Sequence, residues 1–368
     1  MPRLLVAISA HGLGHLGQAA PVCDALWQLR PNLALTIWSA LPASTLRQRI
    51  SVPFTHVNAP CDIGFVMHDA RHVDVDASWN CYKNREANWA EALKVACSIV
   101  DDARPDLIIS DVGDMPLAAG QALGIPTIAM SSLNWADMAR NYFHHLPGHE
   151  TILSRMDQIY ANSTLALRLT PGMCMHGQSE IVLPPVGAVS QYSHTTLDRQ
   201  LTRHLPQPDQ PRVLIGMGGI QTRLNWQDWP IQSEWNLLLA NQSDLPPDGC
   251  PERGIVNADT LRASYKWSFC DLLAASHAVI CKPGYGTFVE AALAGVPVLY
   301  VLRADWPEQP ILVDWLQQYA CCAALSPQVL CNGHFEQALH ALLAQPAKSA
   351  PPRDGALIAA KAILESLT

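Results

Sequence analysis

Two histidines stand four residues apart in the stretch HGLGHLG (residues 11–17), directly after the short apolar run RLLVAIS (3–9). Gly12, Gly14 and Gly17 spell G-x-G-x-x-G, the glycine fingerprint of dinucleotide-binding folds. That fingerprint needs an acid at the end of the second strand, about 20 residues on, to bond the ribose. Here the second apolar run, LALTIWS (33–39), ends in Ile37, Trp38 and Ser39, and an imidazole stands where a cofactor phosphate would approach. The pattern argues against a nicotinamide cofactor and for a task for His15 itself. At the carboxyl end of a first strand it points to where α/β sheets bind ligands. Histidine titrates near neutral pH and can take a proton from a hydroxyl nucleophile, provided a carboxylate orients it and steadies its cation. Asp111, closing the run LIISD, projects at the same sheet edge. A local packing or capping role for His15 stays open. His11 competes for the proton-transfer role, and a His11/His15 metal pair lacks identifiable further ligands, so no metal is assigned.

The second half carries a different chemistry. In KPGYGTFVEAALAGVPVLYV (282–301) a strand ends at Lys282, Gly284 and Gly286 make a turn, and Thr287 opens a helix. Exposed N–H groups and the helix dipole at such a start seat phosphate. Glu290, one helical turn in, is placed to accept from ribose hydroxyls, and Lys282 either adds charge or is solvated. GMGG (216–219) puts Gly216, Gly218 and Gly219 in a second turn that lets backbone approach the same diphosphate. In RADWPEQP (303–310), Asp305, Glu308 and Gln309 could bond sugar hydroxyls; alone, the stretch also reads as a polar loop.

The elements that must hold these residues alternate. Strands are predicted at 3–9, 33–39, 105–111 and 125–132, with helices at 17–30, 86–103 and 115–124. The run 181–212 is rich in proline and polar residues and reads as a linker. The pattern then restarts with strands at 212–219, 278–282 and 296–302, helices at 268–276 and 287–295, and a last helix at 355–367. Alternation of this kind predicts parallel sheets covered on both faces. The predicted division is an N-terminal Rossmann-like domain over 1–190, a linker over 191–211, a C-terminal Rossmann-like domain over 212–350 and a terminal helix in 351–368. The class is α/β, two such domains facing across a cleft.

Composition narrows the function further. With 368 residues, 49% of them hydrophobic and 15% charged, the chain can build a large core. A formal net charge of -8 argues against a nucleic-acid groove or a polybasic membrane anchor, while leaving peripheral membrane contact open. The 11 cysteines are scattered without a C-x-x-C pair, which fits reduced thiols in a cytoplasm. No run reaches the ~18 apolar residues of a membrane span.

Together these motifs resemble a GT-B glycosyltransferase. GLGHLGQAAPVCDAL resembles the opening loop and helix of small-molecule glycosyltransferases, where a catalytic histidine sits at the position of His15. DLIISDVGDMPLAAGQALGIPTIAM resembles their block with the base-orienting aspartate, at Asp111. PGYGTFVEAALAGVPVLYV resembles their donor-binding signature, which places Gly286 and Thr287 at the diphosphate, Glu290 at the ribose, and Glu308 and Gln309 at the donor sugar. More narrowly, CDIGFVMHDARHVDVDAS (61–78), SSLNWADM (131–138) and GYGTFVEA with VLRADWPEQPILVDWL are similar to the glycosyltransferase-like N-terminal region of plant L-arabinokinases and their bacterial relatives. The resemblance does not extend to the galactokinase-type part of those proteins, so it does not imply arabinose phosphorylation. The chain departs from the plant glycosyltransferase signature too: the Trp-initiated donor box is missing, and His277 comes too early to precede Gly284 directly.

The resemblance implies metal-independent, inverting transfer from a nucleoside-diphosphate sugar, a UDP-sugar foremost, with no cofactor. The hydroxyl acceptor would lie on the N-terminal side, with Asp62, Asp69, His72 and Trp135 as candidate contacts. A nucleotide-sugar hydrolase or epimerase of the same fold, and a non-catalytic sugar-nucleotide-binding module, are the competing readings.

Overall fold

The computed structural model describes residues 1–219, 223–231, 234–303 and 305–367. They form two compact units, one of Met1–His68, Val73–Val186 and Pro352–Thr368, the other of Asp69–His72 and Gly187–Pro351.

The first unit is built on seven strands: β1 (Arg3–Ile8), β2 (Ala34–Trp38), β3 (Thr55–Val57), β4 (Leu107–Asp111), β5 (Thr127–Ser131), β6 (Leu165–Leu169) and β7 (Glu180–Leu183). They lie in the order β3-β2-β1-β4-β5-β6-β7, and every pair is parallel. β1, β4 and β5 are continuous apolar runs because helices cover both faces of such a sheet. The strand order reverses between β1 and β4, where Val6 pairs with Ile109 and Ile8 with Asp111. Crevices for ligands open at such reversals, beyond the carboxyl ends of the strands. The last helix, Gly355–Glu365, packs on the first, Gly14–Leu29.

The second unit repeats the plan with β8 (Arg212–Gly216), β9 (Asn236–Leu239), β10 (Ile255–Asn257), β11 (Ala278–Cys281), β12 (Val298–Val301) and β13 (Cys322–Leu325). The order is β10-β9-β8-β11-β12-β13, again all parallel. Its reversal lies between β8 and β11, where Gly216 pairs with Cys281. A core rich in Trp226, Trp229, Trp235 and Phe335 packs on this sheet.

Three expectations need correction. The helix expected at 86–103 is preceded by another, Val75–Ala87, with a break at Asn88. The earlier helix is polar and buries only Ser78, Trp79 and Tyr82, so it shows no clear apolar period; Asp74 caps it by accepting from the Ala77 N–H at 2.9 Å. The run read as a linker contains the edge strand β7 and a helix, His194–Leu201. That helix is capped by Ser193, buries Leu197 and Leu201, and pairs Asp198 with Arg212 at 2.6 Å. Finally, Asp69 and His72, expected beside an acceptor in the N-terminal domain, belong to the second unit. The neighbouring Ala70 sits in that unit's core.

Among the described residues no helix is long and apolar enough to cross a membrane.

Candidate active site

At the carboxyl edge of the first sheet, His15 begins the helix that follows β1 and Asp111 ends β4. The switch-point register brings them together: His15 Nδ1 lies 2.9 Å from Asp111 Oδ1, with both side chains buried. With Asp111 ionised, Nδ1–H is the donor and Nε2 becomes the basic nitrogen. Burial pushes the Asp111 carboxyl above its ordinary range, while the His15 charge and the Ser131 hydroxyl oppose that push.

A second carboxylate closes in from the loop after β3. Asp62 Oδ2 accepts from Trp135 Nε1 at 2.7 Å, and Ser9 hydrogen-bonds the same carboxyl. Burial again raises this group, the Ser9 and Trp135 bonds lower it, His15 lowers it further, and Asp114 raises it. The Trp135 indole stands edge-on to His15 and His11, with ring centroids 5.6 and 5.3 Å away. His11 is pressed against Gly64, whose φ of +60° and close approach (a Cβ there would lie 3.0 Å from His11 Cδ2) require glycine. Of the four expected acceptor contacts, the structure thus gathers Asp62 and Trp135 at the dyad. Asp69 instead accepts from the Arg71 and His72 backbone N–H groups and pairs with the His72 ring at 2.9 Å, closing a turn of its own.

Sequence reasoning missed the scaffold behind the dyad. Gln18, one turn beyond His15, is buried; it donates to Ser132 Oγ at 3.0 Å and accepts from the Ser132 N–H at 3.2 Å, tying helix Gly14–Leu29 to the end of β5. Directly after Asp111, the buried Val112 has φ 73°, a left-handed conformation that costs a β-branched residue dearly. The Tyr160 hydroxyl holds it there, donating to the Val112 carbonyl at 2.5 Å and accepting from the Trp135 N–H at 3.2 Å. Two residues on, Asp114 is fixed by Arg85 at 2.7 Å. A polar Gln18 on the buried face of an apolar helix was the one visible signal; nothing in the sequence marks Tyr160 or Val112.

In the second unit the expected donor residues lie at the carboxyl edge of the sheet. Gly216 ends β8, and Gly218 turns with φ +84°. Gly284 precedes helix Tyr285–Ala294, so Gly286 and Thr287 fall in its first turn, where no acidic side chain opposes an anion. Glu290 is on the same helix and is buried. Glu308 Oε2 accepts from Trp306 Nε1 at 3.1 Å and Gln309 Oε1 from the Arg303 N–H at 2.9 Å, so both brace the loop after β12. A cleft of about 300 Å³ is lined by Gly218, Gly219, Asn241, Gln242, Ser243 and Asp259. His277 is at the opposite end of β11, accepting from the Arg212 N–H at 3.1 Å, which removes it from this edge.

Comparison with known proteins fits these two sheets. No family model matches the sequence. L-arabinokinase of Arabidopsis thaliana is 23% identical over 340 residues, covering 89% of this chain and 31% of that protein. The chain thus spans less than a third of that relative's length. Among solved structures, CalG4, the calicheamicin glycosyltransferase, matches 100% of this chain and 94% of its own at 15% identity and a TM-score of 0.59. The glycosyltransferase VinC, in complex with dTDP, matches 99% of this chain and 95% of its own at 16% identity and a TM-score of 0.55. The fold is GT-B. In this GT-B chain, the dyad and the glycine turns each occupy the switch point of their own sheet.

Proposed function

We propose that the protein is a nucleotide-sugar-dependent glycosyltransferase acting on a hydroxyl acceptor, by inverting, metal-independent transfer. The observation that carries this reading is the buried His15–Asp111 pair at 2.9 Å, at the reversal of strand order in a GT-B chain. Asp111 holds the ring so that Nε2 accepts the acceptor's hydroxyl proton. The oxygen then attacks the anomeric carbon of the donor, the bond to the β-phosphate oxygen breaks, and the imidazolium is steadied by Asp111. Departure of the diphosphate is assisted by backbone N–H groups at Gly284–Thr287 and in the Gly216–Gly219 turn. Glu290 takes the ribose, and Glu308 and Gln309 the sugar. Asp62 and Trp135, joined at 2.7 Å, favour a polar, hydroxyl-bearing acceptor.

The donor is a UDP- or dTDP-sugar: VinC holds dTDP, and other structures of this fold that match the chain hold UDP. A thermal-shift panel of UDP-, dTDP- and GDP-sugars identifies the base, since a ligand of the folded form raises the melting point. With donor and acceptor found, His15→Ala should lower kcat by about 10²- to 10⁴-fold; unchanged turnover would overturn the assignment. Release of free sugar without any acceptor would instead favour a hydrolase of the same fold.

A further inference from the structure

At the switch point of the second sheet, β11 delivers a lysine that has no counter-ion. Lys282 follows Cys281, which pairs with Gly216 at the end of β8, so Lys282 runs alongside the Gly218 turn. The contact is close: a Cβ on Gly218 would lie 3.1 Å from Lys282 Cε. No carboxylate within ion-pair distance and no hydrogen-bond partner meets the Lys282 ammonium among the described residues. Its charged neighbour from the loop after β12 is another cation, the buried Arg303, whose guanidinium lies 3.9 Å over the Trp306 ring. Glu308 on the same loop attracts Lys282 less strongly than burial and Arg303 disfavour its charge, and the Cys281 thiol is the remaining titratable group that bears on it. Lys282 thus holds its charge beside a second cation with no carboxylate of its own at ion-pair distance, which is unfavourable in isolation. An anionic ligand at the carboxyl edge of the sheet relieves that.

We propose that Lys282, backed by Arg303, is the charged contact for the diphosphate of the donor, and that the ligand brings a proton onto Lys282 as it binds. The inference deepens the donor reading above and rests on it; backbone N–H groups alone are not the diphosphate seat. Burial, with Arg303 second, brings the Lys282 ammonium down to about 7 from its ordinary 10.5, with Glu308 opposing. At pH 8 the lysine of the free protein is therefore mostly neutral. A diphosphate against it restores the ammonium, and the proton comes from the buffer.

The experiment is calorimetric titration of the full chain with UDP at pH 8, in two buffers of different ionisation enthalpy, with uridine as the ligand lacking phosphate. The expected result is uptake of about 0.9 proton per UDP, which is the neutral fraction at one pH unit above 7. Lys282→Met should weaken UDP by about 10- to 100-fold, as loss of a charge-assisted bond does, and leave uridine unchanged. Lys282→Arg, always charged, should keep most of the UDP affinity and take up no proton. If UDP binds the wild type without proton uptake and Lys282→Met binds it equally well, the proposal falls while the donor reading stands. If neither UDP nor dTDP binds the wild type, both fall. Circular dichroism of both variants shows that a loss of affinity is not a loss of folding.

Discussion

Tyr160→Phe removes one oxygen atom, and the structure says what that oxygen does. The side chain is buried, its hydroxyl donates to the Val112 carbonyl at 2.5 Å, and it accepts from the Trp135 N–H at 3.2 Å. Phenylalanine fills the same volume, so no cavity term enters. Two buried backbone groups lose their partner at once. The Trp135 N–H opens a helix and has no carbonyl within its own helix to turn to. Each such loss costs about 1–3 kcal/mol, and with some relaxation the pair amounts to about 2–4 kcal/mol of stability. Relaxation has its own consequence. Val112 sits at φ 73°, strained by about 1–2 kcal/mol, and is free to relax once its carbonyl is released. Its neighbour is Asp111, so the carboxylate that orients His15 moves with it. Displacements near 1 Å at a catalytic group cost up to about 10²-fold, so kcat should fall about 10- to 100-fold while the KM for donor holds. Urea denaturation reads the stability, steady-state kinetics the split, and ¹⁵N NMR of the His15 ring the loss of the Nδ1 bond. A variant within about 0.5 kcal/mol of wild type, with an unaltered His15 spectrum, would refute the reasoning.

The remaining expectations are independent of the dyad. Lys282 is depressed to about 7, so between 7 and 10.5 the unfolded chain binds more protons than the folded one, and stability rises with pH through that window. Taken as wild type minus Lys282→Met, so that the thiols cancel, the rise should approach about 1.4 kcal/mol per pH unit near pH 8 in chemical denaturation; a flat difference would contradict the depressed ammonium of this half-buried lysine. Gly120→Ala would place a Cβ 2.5 Å from Thr127 Cγ2 and 2.8 Å from Ile108 Cδ1, between two strands. It should destabilise by about 1–3 kcal/mol in urea. Arg104 ends helix Trp89–Ala103 in the left-handed region at φ 46° and is exposed, so Arg104→Gly should gain about 1 kcal/mol in the same assay.

The buried parallel strands were legible because burial on both faces writes itself as continuous apolar runs, as in β1, β4 and β11. The dyad was legible for a related reason: a histidine just after one such run and an aspartate at the end of another must share a sheet edge once the strands are neighbours. The elements that stayed hidden are those whose partners are local or polar. Helix Val75–Ala87 is fixed by its cap at Asp74 and a few aromatic contacts, and helix His194–Leu201 by two leucines and a cap. Asp69 and His72 look like ligand contacts in sequence because both are polar and close together. That closeness is what lets each satisfy the other, as the 2.9 Å pair shows. Tyr160 was invisible because its work depends on Val112 and Trp135, 48 and 25 residues away.

The two switch points have opposite electrostatic character, and that difference fits the roles proposed for them. In the first unit the proposed base, His15, comes with its counter-charge built in: Asp111 is buried against it, and Asp62 stands by at the Trp135 indole. A base must gain a positive charge during the reaction, so its stabilising carboxylate has to be in place before substrate arrives. In the second unit the charge is left over: Lys282 has no counter-ion and Arg303 lies behind it. A diphosphate brings its own negative charge. A carboxylate pre-paired with Lys282 would have to be displaced at binding and would compete with the ligand for the same ammonium. One sheet therefore holds a complete ion pair and the other half of one, although both follow the same strand order. Shared topology sets where the sites form; the side chain at the end of β4, Asp111, and the one just beyond β11, Lys282, set the charge found at each.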